Sequence, residues 1–221
     1  MEPHDFWQSV EPTAVPPISR AHPAGFDDGR TLWLPIRPLA DGEHALASLI
    51  LNQASFEVVD AIAADLATKL TPFAVDVVVG LPTLGLTLAS EVARKLGHSR
   101  YVPLGTSRKF WYREELSVPL SSITTPDQAK RLYVDPRMLP LIQGRRVALV
   151  DDVISSGASM EAGLRLMASC GVEPAVVATA MLQTDRWKER LAPWVDRTVT
   201  ALRTPMLRKT RMGGWEGAGV S

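Results

Sequence analysis

Apolar residues recur at Phe56, Val59, Ile62, Ala63, Leu66 and Leu70, in steps of three and four that place them on one side of an α-helix. Pro72 closes that helix, and the pattern then changes. Val75 to Gly80 is short and rich in valine, as in a parallel strand buried on both faces. Leu81-Pro82-Thr83-Leu84-Gly85 predicts a turn, and Leu86 to Leu96 a helix stopped by Gly97. The alternation continues with short strands at Tyr101 to Leu104 and Arg146 to Val150. A helix from Ser156 to Ser169 is stopped by Gly171, and further strands follow at Pro174 to Met181 and Val199 to Leu202. Thr31 to Ile36 predicts one more strand near the beginning, while residues 105–143 have weak periodicity.

Strand, turn, helix and strand in repeated units predict an α/β fold, an open parallel sheet with right-handed crossovers. Ligands in such sheets bind outside the carboxyl ends of the strands. The loops expected to carry function are therefore 80–85, 105–115, 151–159 and 182–187. Residues 1–29 hold five prolines and no sustained period, which predicts an irregular arm. Residues 30–204 form the expected domain, and 205–221, with Arg208, Lys209 and Arg211 among glycines, the expected mobile tail.

Composition narrows the function. Apolar residues make up 46% of the 221 residues, enough for a core, and 24 basic residues balance 24 acidic ones. A zero formal net charge weighs against a general grip on nucleic acid, which normally needs a basic excess. The single cysteine, Cys170, leaves no internal disulfide and fits a reducing, cytoplasmic setting. No His and Cys spacing resembles a zinc site. No apolar run is long enough to span a membrane, and no signal peptide is evident at the start.

The most informative stretch runs from Val147 through Asp151, Asp152, Ser155, Ser156, Gly157, Ala158 and Ser159 to Met160. A buried strand delivers two adjacent carboxylates, and a small hydroxyl-rich loop then opens a helix. Backbone N–H groups of that loop and the positive end of the helix make an anion cradle. Gly157 permits close backbone approach, and the three serines add donors. Carboxylates are acceptors and a vicinal diol offers donors, so the pair beside the cradle suits a ribose 5-phosphate. Taken alone, the same string also reads as ordinary helix capping.

These residues resemble the phosphoribosyl pyrophosphate signature of the type I phosphoribosyltransferases: an apolar strand, two acidic residues, two apolar residues and a short Ser/Thr/Gly loop. The resemblance implies a parallel sheet with a small hood from the N- and C-terminal segments. It implies that Asp151 and Asp152 hold the ribose hydroxyls and that Ser155, Ser156, Gly157, Ala158 and Ser159 hold the 5′-phosphate. Thr83, Leu84 and Gly85 resemble the pyrophosphate loop, though taken by themselves they read as a plain strand-to-helix turn. Arg108 and Lys109 resemble the basic pair that approaches pyrophosphate, or form a solvated pair on a loop. The stretch from Phe110 to about Pro136 occupies the place of the family's mobile catalytic loop.

Asn52, after the apolar pair Ile50-Leu51, resembles a purine-contacting asparagine of bacterial xanthine phosphoribosyltransferases, and also reads as a helix-entry residue. Trp187 reads as a ring stacked on the base or as core. The hypoxanthine-guanine branch has an acidic residue where this chain has Ser155, which cannot act as a base at neutral pH. That places the chain nearer the adenine/xanthine branch. The implied reaction displaces pyrophosphate from phosphoribosyl pyrophosphate with a ring nitrogen of a nucleobase. Mg²⁺ would ride mainly on the substrate, with no dedicated protein metal site. A homodimer is implied by the family and the arm. The rival reading is a regulator that binds phosphoribosyl pyrophosphate without chemistry.

Overall fold

The structure is a computed structural model and describes residues 3–12, 21–120 and 130–217. Parts of the expected arm (1–2 and 13–20), lid (121–129) and tail (218–221) lie outside the described residues.

The chain begins with three antiparallel strands, β1 (Ala21–Gly25), β2 (Thr31–Pro38) and β3 (His44–Ala47). Then come α1 (Phe56–Leu70), β4 (Val77–Gly80), α2 (Gly85–Lys95) and β5 (Val102–Pro103). A two-stranded ribbon, β6 (Ser117–Pro119) and β7 (Arg131–Tyr133), precedes α3 (Leu139–Ile142). β8 (Val147–Ile154), α4 (Ala158–Ser169) and β9 (Val176–Gln183) lead to the one-turn α5 (Trp187–Arg190) and to β10 (Thr198–Thr204). The hairpin β11 (Leu207–Lys209) and β12 (Trp215–Gly217) ends the described chain.

The central sheet is parallel throughout, in the order β10-β9-β8-β4-β5. Its strands are apolar on both faces because both are covered. Val78 and Ala148 join the core beneath α1 and α2, whereas Val77, Val79, Val147 and Leu149 join the core beneath α4. Alternate side chains of a strand point to opposite faces, so each valine run feeds two cores. α1 starts where Ser55 accepts the Val58 N–H through its hydroxyl at 3.2 Å, a side-chain cap.

The order matters for the site. From β4 the chain moves outward to β5 and then returns to β8 on the opposite side of β4. Connections leave β4 and β8 in opposite senses there, which opens a crevice at their carboxyl ends.

The second sheet, β1-β2-β3-β11-β12, forms a hood. It is tied to the carboxyl edge of the parallel sheet where Gln183 Nε2 donates to the Ala47 carbonyl at 2.7 Å.

Three expectations need correction. The arm is not wholly irregular: Ala21–Gly25 pairs with β2, Phe6 and Trp7 are buried, and the Trp7 indole N–H donates to the Ser48 carbonyl at 3.1 Å. The expected tail supplies two hood strands, because buried Leu207 and its neighbour Arg208 pair with Ala45 and His44 of β3. Finally, β8 runs to Ile154, four residues past the expected end, because Asp151, Val153 and Ile154 pair with Thr179, Met181 and Leu182 of β9. Both acids therefore lie within the strand.

Among the described residues, no helix is long and apolar enough to cross a membrane.

Candidate active site

The switch-point crevice is bordered by the loop after β4 and by the last residues of β8. Asp151 is 6% exposed, and its Oδ1 accepts the Asp152 backbone N–H at 2.9 Å. Burial, and next the neighbouring Asp152 charge, push the Asp151 carboxyl well above the usual carboxylate range. Burial raises Asp152 as well. Among the described residues no cation forms an ion pair with either acid. The pair thus holds acceptor oxygens whose charge is uncompensated by the protein, a demand that hydroxyl donors meet. The Asp152 carbonyl is fixed from behind by the Thr179 hydroxyl, which donates to it at 2.9 Å.

Gly85 holds the two loops together. A Cβ there would lie 2.8 Å from Asp151 Oδ1, 2.9 Å from Asp151 Cα and 3.2 Å from the Val150 carbonyl oxygen. Only glycine lets the first turn of α2 rest on β8 at that separation. The first N–H groups of α2 have no partner within their own helix, and they begin beside the buried acid. Thr83 is exposed and Leu84 half-buried on the approach to that turn. The Pro82–Thr83 peptide bond is cis.

Beyond β8, Ser155 is half-buried, Ser156 and Ser159 are exposed, and Gly157 is buried at the start of α4. Gly157 has φ +79°, and a Cβ there would lie 3.2 Å from Leu191. A left-handed conformation and a close neighbour both call for glycine. The loop therefore turns tightly into α4, with Ala158 and Ser159 as the first helical residues and their N–H groups at the positive end of the helix.

The basic pair Arg108 and Lys109 lies exposed after β5. Arg108 reaches Glu114 at 3.6 Å, and Glu114 also holds Arg131 at 2.9 Å. Asn52 sits in the turn before α1, where its Oδ1 accepts the Thr87 hydroxyl at 2.8 Å. Both residues line a cleft of about 790 Å³ between α1 and α2, with Phe56, Glu57, Glu91 and Arg94. None of residues 151–159 lines that cleft, so Asn52 belongs to a neighbouring hollow.

Trp187 takes its core alternative. It is 1% exposed, packed with Ile154, Met160, Leu182 and Leu191, and presents no open ring to a base. Sequence reasoning missed what Trp187 supports. With Leu191 it anchors α5 beneath the loop 155–159, Arg190 pairs with Glu161 in the first turn of α4 at 2.9 Å, and Arg186 donates to Ser155 Oγ at 3.3 Å. The apolar i, i+4 spacing of Trp187 and Leu191 was the available signal for a buried turn.

Among the described residues no group of three or more His, Cys, Asp or Glu side chains could hold a metal ion.

The sequence model of the phosphoribosyl transferase domain matches residues 47–201. The chain belongs to that family. A hypoxanthine/guanine phosphoribosyltransferase of Methanosarcina mazei is 28% identical over 138 residues, covering 62% of this chain and 64% of that protein. A xanthine phosphoribosyltransferase of Chloroflexus aurantiacus is 28% identical over 141 residues, 60% of each chain. This chain therefore spans about three fifths of the length of these curated relatives. Among solved structures, the adenine phosphoribosyltransferase of Giardia lamblia in complex with 9-deazaadenine superposes with a TM-score of 0.57 at 18% identity. It covers 72% of this chain and 93% of that one. The likeness extends to the fold: a parallel sheet flanked by helices and an antiparallel hood.

Proposed function

We propose that the protein transfers the 5-phosphoribosyl group of phosphoribosyl pyrophosphate to a ring nitrogen of a purine base, of the adenine or xanthine type, and releases pyrophosphate. The observation that carries this reading is the contact of Gly85 with Asp151. It brings the turn after β4 and the acid pair of β8 to one crevice, so that the two ends of a single sugar phosphate can be held at once.

In this reading Asp151 and Asp152 accept the ribose hydroxyls. The N–H groups and hydroxyls of Ser155, Ser156, Gly157, Ala158 and Ser159 hold the 5′-phosphate. Thr83, Leu84 and Gly85, with Arg108 and Lys109, receive the pyrophosphate, whose growing charge needs donors and cations. Mg²⁺ arrives as part of the substrate, borne by pyrophosphate oxygens and water. Bond breaking at the anomeric carbon leaves an oxocarbenium-like centre, as in glycoside cleavage. The protein's task is then to hold base and sugar in line. A cytoplasmic homodimer completes the proposal.

The test is a panel of purine and pyrimidine bases with phosphoribosyl pyrophosphate and Mg²⁺, followed by pyrophosphate release. Release with a purine, and little with pyrimidines, is the expected result. Binding of phosphoribosyl pyrophosphate with no release for any base would instead favour the regulator.

A further inference from the structure

A phosphate dianion entering the loop 155–159 meets an electrostatic difficulty. Asp151 and Asp152 lie immediately upstream, and the loop itself carries no basic side chain. Amide dipoles and the end of α4 attract the anion, yet helix ends contribute only fractional charge. A full positive charge nearby is the missing component.

Two arginines approach the loop from α5. Arg190 is already paired with Glu161 at 2.9 Å. Arg186, at the N-terminal boundary of α5, has no carboxylate partner among the described residues, and its Nη2 donates to Ser155 Oγ at 3.3 Å. The backbone beneath it is firmly placed, since Trp187 and Leu191 are each 1% exposed and Leu191 packs on Gly157. Arg186 is exposed, and its bond to Ser155 sets the guanidinium beside the loop. A hydroxyl that accepts from a guanidinium still has its own hydrogen to donate, and the neighbouring charge strengthens that donation.

We infer that Arg186 is a phosphate-binding residue: it supplies the positive charge of the 5′-phosphate cradle, directly through its guanidinium and through Ser155. The inference rests on the function proposed above, because it needs a sugar phosphate in this loop. It assigns a role to a side chain 27 or more positions beyond the loop residues Ser155 to Ser159. It also separates the two anionic ends of the substrate, since Arg186 serves the phosphate and not the pyrophosphate.

The experiment compares wild type with Arg186→Gln and Arg186→Lys. Ribose 5-phosphate and inorganic pyrophosphate with Mg²⁺ are titrated separately by calorimetry, at low and raised salt. Loss of one charged hydrogen bond weakens binding about 10- to 100-fold. Arg186→Gln should lose that much affinity for ribose 5-phosphate and much of its salt dependence, yet bind pyrophosphate like wild type. Arg186→Lys should recover most of the loss. In steady state, KM for phosphoribosyl pyrophosphate should rise while KM for the base stays within about twofold, the spread of neutral surface changes. Unchanged ribose 5-phosphate affinity in Arg186→Gln would overturn the inference. So would equal losses for both ligands, or a shift confined to the base KM, which would assign Arg186 to the acceptor. If wild type binds neither ribose 5-phosphate nor phosphoribosyl pyrophosphate, the proposed function itself falls.

Discussion

Converting Asp151 and Asp152 together to asparagine is expected to lower kcat/KM for phosphoribosyl pyrophosphate by about 10²- to 10⁴-fold, two charge-assisted hydrogen bonds at about 1.5–3 kcal/mol each. The fold should survive. Asparagine keeps the volume of aspartate, and its Oδ1 can still accept the Asp152-position N–H that Asp151 Oδ1 accepts at 2.9 Å. Stability should respond in a direction that sets these acids apart from surface ones. Burial, aided by the adjacent charge, raises Asp151 above its ordinary value, and burial raises Asp152. The native state therefore keeps its protons to higher pH than the unfolded chain does. The stabilising contribution is full below the ordinary aspartate value of 3.8 and is lost as pH rises through the raised native values. Asp41 and Asp135 are lowered to about 2 by hydrogen bonds, from His44 N–H and Arg137 respectively, and act in the opposite sense, but they are common to both proteins. Melting temperature against pH, wild type minus double variant, should thus fall with rising pH across the window above 3.8. Parallel curves, or unchanged turnover, would count against the assignment of the acid pair.

Gly85→Ala is expected to reduce activity by about 10²-fold, the scale of an ångström-sized misplacement of a reacting group, and to destabilise the protein by about 1–3 kcal/mol. Two of the three atoms a Cβ would strike, at 2.9 and 3.2 Å, belong to the backbone of Asp151 and Val150. Backbone cannot rotate aside, so α2 must lift away from β8 and open the crevice. Gly25→Ala is the control, since a Cβ there meets nothing within 4 Å. Urea unfolding and pyrophosphate release measured on both variants check the contrast. Wild-type activity in Gly85→Ala would mean that the close contact does not position the acids.

Much of the parallel half of the fold was legible. α1, α2 and α4 announce themselves through apolar spacing and through Pro72, Gly97 and Gly171, and β4 and β9 through β-branched runs. The hood was largely hidden. β1 holds Pro23 and Gly25, and β3, β11 and β12 have only three or four residues, too few for a period to emerge. Their pairing is long-range: β11 finds β3 across more than 150 residues. The tight loop 155–159 that opens α4 was legible because its residues are contiguous. The meeting of Gly85 with Asp151 was not, since it depends on the strand order β8-β4-β5, which local sequence does not encode. Arg186 was hidden for a similar reason. Its neighbour Trp187 read as either core or ligand contact, and only its burial shows that α5 is a support on which an arginine is mounted.

The most direct test of the account is a crystal structure of the wild-type protein with phosphoribosyl pyrophosphate and Mg²⁺. The predicted result places the 5′-phosphate oxygens within about 2.7–3.2 Å of the N–H groups between Ser156 and Ser159, with both ribose hydroxyls on the carboxylates of Asp151 and Asp152. A ligand seated elsewhere, or turned so that its sugar hydroxyls face away from those two acids, would contradict it.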